Sequence, residues 1–534
     1  MHRESGTGHC SIWNRGKIYH RRDGGASDSK RRGGLRAYSG RGRPCILCKM
    51  GCEGSAAGWR NPPGGSGQDA AESAGLQKRR DPADQPETVL KSLFLLQRGI
   101  RMEKTMRPAL HFTAPKGWMN DPNGLVYHDG FYELYYQHNP LGVDWNCMTW
   151  GHAGGTDLLH WEDFGDVLEP DENGLMFSGC AIRNDHHCLG LPEDALIYFY
   201  TAAGHYSEES AGKPYTIRLA YSTDGGRSLV KTGDPVLETL AWENRDPKVF
   251  WHEETGAYVL VLWIEENDFG IWRSGDLEHF TLSQRLTLPG GYECPDLFEL
   301  PVVNGNGEKK WVFWSADGSY YVGSFDGYEF HKEQERKCAY IQGPDGALPY
   351  AAQTWSGLDR TLSVSWLKTR CVNRNTTGMM SVPKELTLVR RKEELVLQQK
   401  FPDPVREALE HGGVENLGGA VYRSCRNTAP SPFCGQTEKV GLHSEEMEWK
   451  IEICSAEQTL LAVECQKETK KLFFTHGIVT DLCDAGCELE DLELLYDHGI
   501  LEMLGNQGTF YLAVDFPELR KEAARTIKLS GTLK

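Results

Sequence analysis

Three acidic residues stand in surroundings that are unusual for solvated surface charges. They are Asp121 in the run GWMNDPNGLVY, Asp246 in the run RDP and Glu293 in the run YECPD. Each carboxyl group has a stiff proline or an aromatic ring close to it in the sequence, as a positioned reagent would. Cleavage of a glycosidic bond needs carboxyl groups in different protonation states around one sugar. The three segments therefore predict glycoside chemistry.

Sequence neighbours suggest a role for each acid. The amide of Asn120 can donate a hydrogen bond that keeps Asp121 ionised, and the cation of Arg245 would do the same for Asp246. Glu293 has no adjacent cation, and an apolar environment would favour its protonated form. A retaining glycosidase needs a nucleophile and a general acid roughly 5–5.5 Å apart. We therefore predict Asp121 as the nucleophile, Glu293 as the acid/base and Asp246 as a fixed anion beside the sugar.

The elements that must position these acids are predicted to be strands. Alternating aromatic runs recur from about residue 106, and four Asp-centred turns mark them at Asp157, Asp224, Asp276 and Asp326. The steps between these aspartates are 67, 52 and 50 residues, enough for about four strands each. Equal strand units at such a period are typical of a β-propeller. Four marks and a closing unit around 340–390 predict five blades, and ordinary hairpin turns in another β fold remain the alternative.

The residue composition and the strand pattern change after residue 386, and this change sets the predicted domain boundaries. Residues 390–410 are charged and have some helical character, and alternating strands resume from about 415. We predict an all-β protein with a five-bladed β-propeller over 106–395, a linker over 396–414 and a C-terminal β-sandwich over 415–534. Residues 1–101 are predicted to be a basic, disordered extension that is not necessarily part of the native protein.

Charge and cysteine usage limit the partners and the compartment. Residues 1–101 hold 19 Lys/Arg against 9 Asp/Glu, although the whole chain of 534 residues has a net charge of −17. The basic head allows a nucleic-acid arm, but its Gly, Arg and Ser content favours a simple disordered segment. We find no secretory signal, and the 16 cysteines have no framework spacing. We therefore expect free thiols in the cytoplasm, with no nucleic-acid or membrane partner.

The three acid segments resemble the signature motifs of glycoside hydrolase family 32, the β-fructofuranosidases. This family includes invertases, sucrose-6-phosphate hydrolases, levanases and exo-inulinases. The resemblance extends from about residue 109 to the C-terminus, and its most specific block is Trp118–Gly124. It implies a five-bladed propeller followed by a sandwich. It also implies Asp121 as the nucleophile, Asp246 as the transition-state stabiliser and Glu293 as the acid/base.

Further residues match family positions that line the fructose-binding subsite. They are Asn120, Gln137, Trp145, Phe177, Ser178 and Arg245. Amides and Arg can bind sugar hydroxyls, and aromatic rings can cover a sugar face. For Trp145 and Phe177, packing in the core is the alternative. Asn146 and Thr149 depart from the family pattern, which puts the choice of substrate in doubt more than the type of reaction.

These observations predict a retaining hydrolase that releases terminal, non-reducing β-D-fructofuranosyl residues from sucrose, short fructo-oligosaccharides or fructans. No metal and no organic cofactor is implied. A fructosyltransferase with the same acids and a sucrose-6-phosphate hydrolase remain alternatives. A non-catalytic carbohydrate-binding propeller and an inverting glycosidase that acts on arabinan are more distant ones. The oligomeric state is left open.

Overall fold

The computed structural model describes residues 107–344, 348–373, 375–410, 421–426, 447–455, 458–466, 468–520 and 526–531. These residues form an almost entirely β structure, and their single α-helix, α1, spans Asp403–Glu410. Short 3₁₀ turns lie at Cys188–Gly190, Glu253–Thr255 and Pro517–Leu519. The all-β prediction is therefore confirmed. The predicted extension over 1–101 lies outside the described residues.

The region before α1 consists of five consecutive groups of strands. The first three groups are β1 Gly117–His128, β2 Phe131–Asn139, β3 Thr149–Gly155 and β4 Glu162–Leu168; then β5 Leu175–Arg183, β6 Leu196–Ala203, β7 Thr216–Ser222 and β8 Val230–Lys231; then β9 Arg245–His252, β10 Ala257–Glu265, β11 Asp268–Ser274 and β12 Thr281–Thr287. The last two groups are β13 Asp296–Pro301, β14 Lys309–Trp314, β15 Ser319–Phe325, β16 Phe330–Lys332 and β17 Lys337–Cys338; then β18 Pro349–Thr354, β19 Leu362–Asn373, β20 Thr376–Met380, β21 Lys384–Arg391 and β22 Glu394–Lys400.

Antiparallel pairing dominates within these groups, and one parallel pair of strands, with an isolated parallel bridge from Val126 to Ser356, joins the first group to the last. Strands β5–β8 and β9–β12 form separate four-stranded sheets, and β13–β17 form a five-stranded sheet. Strand β1 pairs in parallel with β20, with Gly117 opposite Thr376 and Trp118 opposite Thr377. This contact merges the first and last groups into one nine-stranded sheet. The two ends of the region are thereby brought together.

The four predicted Asp-centred turns occupy the same position in four successive groups. Asp157 follows β3, Asp224 follows β7, Asp276 follows β11 and Asp326 follows β15, so each turn joins the third strand to the fourth. Each carboxylate accepts hydrogen bonds from backbone N–H groups of its own turn, at 2.7–3.0 Å. Such self-capping is the reason that Asp favours turns. The four aspartates predicted from the sequence therefore identify a true structural repeat.

Neighbouring sheets pack on each other through separate apolar cores. Residues such as Tyr135 and Tyr198 fill the core between the first two groups. Ile197 and Leu260 belong to the core between the second and third groups, and Phe313 belongs to the core between the third and fourth. The burial of aromatic and branched side chains on both faces of each sheet provides the main driving force for this arrangement.

Two further sheets follow α1. Their strands are β23 Val421–Arg426, β24 Met447–Cys454, β25 Thr459–Gln466, β26 Lys471–His476, β27 Val479–Asp484, β28 Asp491–Asp497, β29 Ile500–Gly505, β30 Phe510–Asp515 and β31 Thr526–Gly531. The strand orders are β23-β28-β29-β30 and β27-β26-β25-β24-β31. Buried residues from both sheets, among them Ile451, Phe474 and Met503, share one core.

A buried polar cluster ties the segment before β1 to the C-terminal sheets. The ring of His111 contacts Asp497 at 3.0 Å through Nδ1 and Glu502 at 2.9 Å through Nε2. Lys384 donates to Glu502 at 2.5 Å from the opposite side. Burial alone would lower the pKa of His111, but hydrogen bonds to the two carboxylates outweigh it and raise that pKa to about 9. The cluster thus holds charged groups that compensate one another.

Among the described residues, eight cysteines are free thiols. Cys147 is disulfide-bonded, so the expectation of free thiols is wrong for this residue.

Within the part of the chain that the structure describes, no helix is both long enough and apolar enough to cross a membrane.

Candidate active site

The three predicted acids lie at or beside the first strands of successive groups, whereas Gln137 lies on β2 and Trp145 lies between β2 and β3. Asp121 falls in the register shift of β1 between Met119 and Pro122, and Ser178 falls in that of β5 between Phe177 and Gly179. Such bulges redirect a side chain away from the normal alternation. They explain how acids far apart in sequence can face one another.

Backbone geometry reinforces this redirection. Asp246, Glu293, Cys294 and Ala351 all have positive φ angles, of 65°, 53°, 38° and 49°. This left-handed region is unfavourable for residues with a side chain, and each such residue costs about 1–3 kcal/mol. Strain of this kind clusters at functional sites. Its presence at two of the three predicted catalytic acids marks this part of the molecule as the candidate site.

A chain of hydrogen bonds fixes the carboxylate of Asp121. Asn120 Nδ2 donates to Asp121 Oδ1 at 3.1 Å, and Ser178 Oγ donates to Asp121 Oδ2 at 2.7 Å. Gln137 accepts from Asn120 at 3.0 Å and donates to Ser178 at 2.8 Å, which closes a ring of four side chains. Trp118 Nε1 donates to Asn120 Oδ1 at 2.8 Å and orients the amide. The structure thus brings Asn120, Gln137 and Ser178 to the predicted nucleophile.

Asp246 is held by backbone groups and by a thiol. Its Oδ2 accepts a hydrogen bond from the backbone N–H of Cys294 at 3.1 Å, and its own N–H donates to Thr201 Oγ1 at 3.0 Å. The Sγ atom of Cys294 lies 3.5 Å from Asp246 Oδ2 and 3.7 Å from Asp121 Oδ2. One buried thiol therefore contacts two of the three carboxyl groups.

Glu293 has a cation beside it, contrary to the expectation from its sequence neighbours. Arg245 Nη2 forms a short ion pair with Glu293 Oε1, whereas Arg245 Nε is 3.9 Å from Asp246 Oδ2. Tyr350 donates from its hydroxyl to Glu293 Oε2 at 2.6 Å. Arg245 thus contacts both carboxyl groups: its charge opposes the rise in the pKa of Asp246, as the sequence indicated, and its closer contact is with Glu293, which the sequence did not indicate.

Burial governs the protonation of the site. It raises the pKa of Asp121, while hydrogen bonds from Ser178 and Asn120 act in the opposite direction. Burial also raises the pKa of Asp246, to about 7, against the opposing charge of Arg245 and with additional repulsion from Glu293 and Asp121. Three carboxyl groups that share one enclosed space cannot all ionise easily. The site can therefore retain a proton near neutral pH.

Aromatic rings cover one side of the site. Phe177, which precedes Ser178, meets the ring of Trp145 at a centroid distance of 5.9 Å. Phe177 is 9% exposed and Trp145 is 41% exposed, so only the second presents a broad open face. Trp150 is fully buried and its Nε1 donates to the carbonyl of Phe177 at 3.0 Å. Trp150 therefore supports the wall of the site by packing.

Sequence reasoning missed two residues that approach the acids. Tyr350 stands in the run YAAQTW, and nothing in that run indicated a partner 57 positions earlier. Lys368 places its ammonium group 3.3 Å from the centroid of the Tyr350 ring. Burial lowers the pKa of Lys368, and the charges of Asp121 and Glu293 act against that change. Tyr350 therefore contacts Glu293 directly, and Lys368 adds a positive charge that acts on both Asp121 and Glu293.

Comparisons with known proteins agree with the motifs. Residues 111–399, more than half of the chain, match the family model described as the glycosyl hydrolases family 32 N-terminal domain. A levanase of Bacillus subtilis (strain 168) is 35% identical over 317 residues, which are 54% of this chain and 45% of the levanase. An extracellular exo-inulinase of Meyerozyma guilliermondii is 35% identical over 283 residues, 49% of this chain and 54% of the inulinase. The chain spans about half the length of these curated relatives.

Solved structures show a shared fold. A fructofuranosidase from Schwanniomyces occidentalis, solved with fructosylnystose, has a TM-score of 0.65 at 24% identity, and the match covers 80% of this chain and 94% of that one. An exo-inulinase from Aspergillus awamori has a TM-score of 0.63 at 22% identity and covers 80% and 95% of the two chains.

Proposed function

We propose that this chain, which belongs to glycosyl hydrolase family 32, releases terminal non-reducing β-D-fructofuranosyl residues from sucrose, short fructo-oligosaccharides and fructans. The match of residues 111–399 to the family model confirms the resemblance predicted from the motifs. The observation that carries the proposal is the convergence of Asp121, Asp246 and Glu293, whose contacts run through Cys294 and Arg245. Relatives named levanase, exo-inulinase and invertase support it.

In this proposal Asp121 is the nucleophile. An oxygen of its carboxylate attacks the anomeric carbon of the fructosyl unit, and the bond from that carbon to the leaving oxygen breaks. Glu293 transfers a proton to the leaving oxygen, which departs as an alcohol. The hydrogen bonds from Ser178 and Asn120 orient the attacking carboxylate and favour its ionised form.

The second half of the reaction restores the enzyme. Glu293, now ionised, accepts a proton from a water molecule as that water attacks the anomeric carbon, and the bond to Asp121 breaks. Two displacements at one carbon give retention of configuration. Asp246 carries the third carboxyl group, placed to interact with sugar hydroxyls and with the positive charge that develops on the ring.

The protonation of Glu293 needs a specific explanation, because Arg245 and Tyr350 both donate to its carboxylate. These contacts suit the base that Glu293 becomes in the second half-reaction. The first half-reaction needs Glu293 to carry the proton that passes to the leaving oxygen.

For the architecture, we infer a five-bladed β-propeller over 106–395, a linker over 396–414 and a C-terminal β-sandwich over 415–534. Support comes from the five strand groups, from the parallel contact between β1 and β20 and from the two C-terminal sheets with a common core. Strand β22, which ends at Lys400, and helix α1 fall partly or wholly within the inferred linker.

A hydrolysis panel tests the function. Purified protein is incubated with sucrose, sucrose 6-phosphate, kestose, inulin and levan, and released fructose is measured by chromatography. We expect fructose from sucrose and from at least one fructan, and a loss of at least about a thousandfold in Asp121→Asn and Glu293→Gln. Glu299→Gln, an exposed acid on β13, serves as the matched control.

Three outcomes of the panel would redirect the proposal. Full activity in a folded Asp121→Asn protein would contradict the assignment of the nucleophile. Kestose-type products in place of fructose at high sucrose would identify a fructosyltransferase. Cleavage of sucrose 6-phosphate alone would identify a sucrose-6-phosphate hydrolase. The anomer of fructose that NMR detects directly after cleavage tests whether the reaction retains configuration. The cytoplasmic location of the protein stays a prediction.

A further inference from the structure

We propose that an exposed row of aromatic rings beside the active site binds the sugar units of a fructan that lie beyond the fructosyl residue being cleaved. The aromatic ledge consists of Trp145, His205, Tyr206 and Trp242. The inference rests on the proposed function, and it assigns to these residues the preference of the enzyme for chain length.

The ledge is continuous with the nucleophile. Phe177 adjoins Ser178, which donates to Asp121. The centroid of the Phe177 ring lies 5.6 Å from that of Tyr206, and the ring of Trp145 contacts both, at 5.9 Å and 5.5 Å. Ring contacts therefore lead from Phe177, the residue before Ser178 in the chain, to the ledge.

The outer part of the ledge is a stack of nearly parallel rings. The ring of His205 is inclined by only 24° to that of Tyr206 and by 25° to that of Trp242, at centroid distances of 4.7 Å and 6.3 Å. Together with the step from Phe177 to Tyr206, these contacts form a continuous row of rings from Phe177 to Trp242. A substrate of one or two sugar units that occupies the site around Asp121 would leave the outer rings uncovered, whereas a longer chain would reach them.

Exposure increases along this row. Phe177 is 9% exposed, whereas Trp145, Tyr206 and Trp242 are 41%, 43% and 52% exposed. Large aromatic side chains are normally buried because their apolar area is costly to hydrate. Several of them exposed side by side indicate a binding surface. The faces of sugar rings present C–H groups that suit such a surface, and their hydroxyl groups stay in contact with water.

The ledge is built rigidly from within the protein. The backbone N–H of Tyr215, beside strand β7, donates to the carbonyl of Trp242 at 2.9 Å, and the Tyr215 hydroxyl donates to that of Tyr206 at 3.1 Å. The backbone N–H of His205 donates to the carbonyl of Ser210 at 2.8 Å. Because the rings are already ordered, a sugar chain that binds them loses little free energy to rearrangement of the protein.

The decisive measurement is the ratio of kcat/KM for levan or inulin oligosaccharides to kcat/KM for sucrose. In Trp242→Ala and Tyr206→Ala we expect this ratio to fall about five- to tenfold, mainly through KM, since one aromatic contact is lost. Trp242→Phe, which keeps a ring, should restore most of the ratio. Tyr328→Ala is the matched control, because Tyr328 is 50% exposed in the turn between β15 and β16.

A binding experiment separates this inference from the proposed function. Electrophoresis of the wild-type protein in gels that contain levan or inulin should show retardation, and Trp242→Ala should reduce that retardation. An unchanged ratio and unchanged retardation in both alanine variants would overturn the inference and leave the proposed function intact. An equal loss on sucrose and on fructans would also overturn it. A wild-type protein that cleaves no fructosyl substrate would instead overturn the proposed function.

Discussion

Removal of one hydroxyl group, in Ser178→Ala, should change the pH dependence of catalysis in a defined direction. The hydroxyl donates to Asp121 Oδ2 at 2.7 Å and its residue is 1% exposed. A hydrogen bond to a charged group contributes about 1.5–3 kcal/mol, and 1.36 kcal/mol corresponds to about one pKa unit. The hydroxyl lowers the pKa of Asp121 against the effect of burial. Its loss should therefore raise that pKa by about one to two.

The higher pKa of Asp121 should affect activity, because a carboxylate nucleophile must be ionised. A higher pKa leaves less Asp121 ionised at any pH below it, so the acid limb of kcat/KM should move upward by about one to two pH units. Well above the new limb the loss should be smaller. The variant also leaves Gln137 Nε2 without its acceptor, which should lower the free energy of unfolding by about 1–3 kcal/mol.

Fructose release from sucrose between about pH 4 and pH 9 gives the profile, since kcat/KM reports the groups of the free enzyme. Ser222→Ala is a close control, because Ser222 is also 1% exposed and donates to the carboxylate of Asp224 at 2.7 Å, in a turn away from the site. It should lose stability and keep its acid limb. An acid limb that stays in place in Ser178→Ala, with Ser222→Ala normal, would refute the reasoning.

Three other changes test separate parts of the structure. Tyr350→Phe removes a 2.6 Å hydrogen bond to the predicted acid/base and should lower kcat/KM about 10- to 100-fold, whereas Tyr321→Phe, which loses a 2.6 Å bond to a remote carbonyl, should not. Gly124→Ala should lower the free energy of unfolding in urea by about 2–4 kcal/mol, because the φ angle is +54° and the new Cβ atom would lie 2.7 Å from a carbon of the Tyr135 ring. Gly130→Ala is the control. Open space surrounds that position, so the change should lower the free energy of unfolding by only about 1 kcal/mol. The pKa of His111 in the folded protein, about 9, exceeds the ordinary value of 6.5, so protonated His111 stabilises the fold fully below pH 6.5. About 3 kcal/mol of the free energy of unfolding should be lost as the pH rises through about 9. Urea titrations at several pH values measure this loss, and His111→Gln should not show it.

The sequence predicted the repeat and the three acids for a physical reason. Asp-centred turns are fixed by local hydrogen bonds, so Asp157 and its three counterparts could be recognised without any knowledge of the fold. Proline and aromatic neighbours likewise restrict the backbone around Asp121, Asp246 and Glu293. Local chemistry of this kind can be deduced from a sequence because each determinant lies within a few residues of the group that it positions.

Partner choice across sheets could not be deduced in the same way. Arg245 adjoins Asp246 in sequence and lies 3.9 Å from its carboxylate, but its closest acidic partner is Glu293. Adjacency in the sequence can indicate the first contact and cannot indicate the second, which joins residues 48 positions apart. The contact between Tyr350 and Glu293 likewise depends on how the first strands of two groups meet. The pattern of residues gives the set of acids, and only the fold gives the cation and the hydroxyl that serve each one.

The unfavourable backbone and the chemistry of the site have a common cause. In a regular strand, alternate side chains point to opposite faces, so residues on neighbouring first strands would be directed into the cores between sheets. A bulge at Asp121 and a left-handed angle at Asp246 release these two carboxyl groups from that alternation. Glu293, which also has a left-handed angle, precedes β13, and the three carboxyl groups thereby approach one another. The surrounding sheets, held by their apolar cores, offset the cost of about 1–3 kcal/mol for each strained residue. A change that relaxed this backbone would stabilise the fold and separate the carboxyl groups, so stability and activity are opposed at these positions.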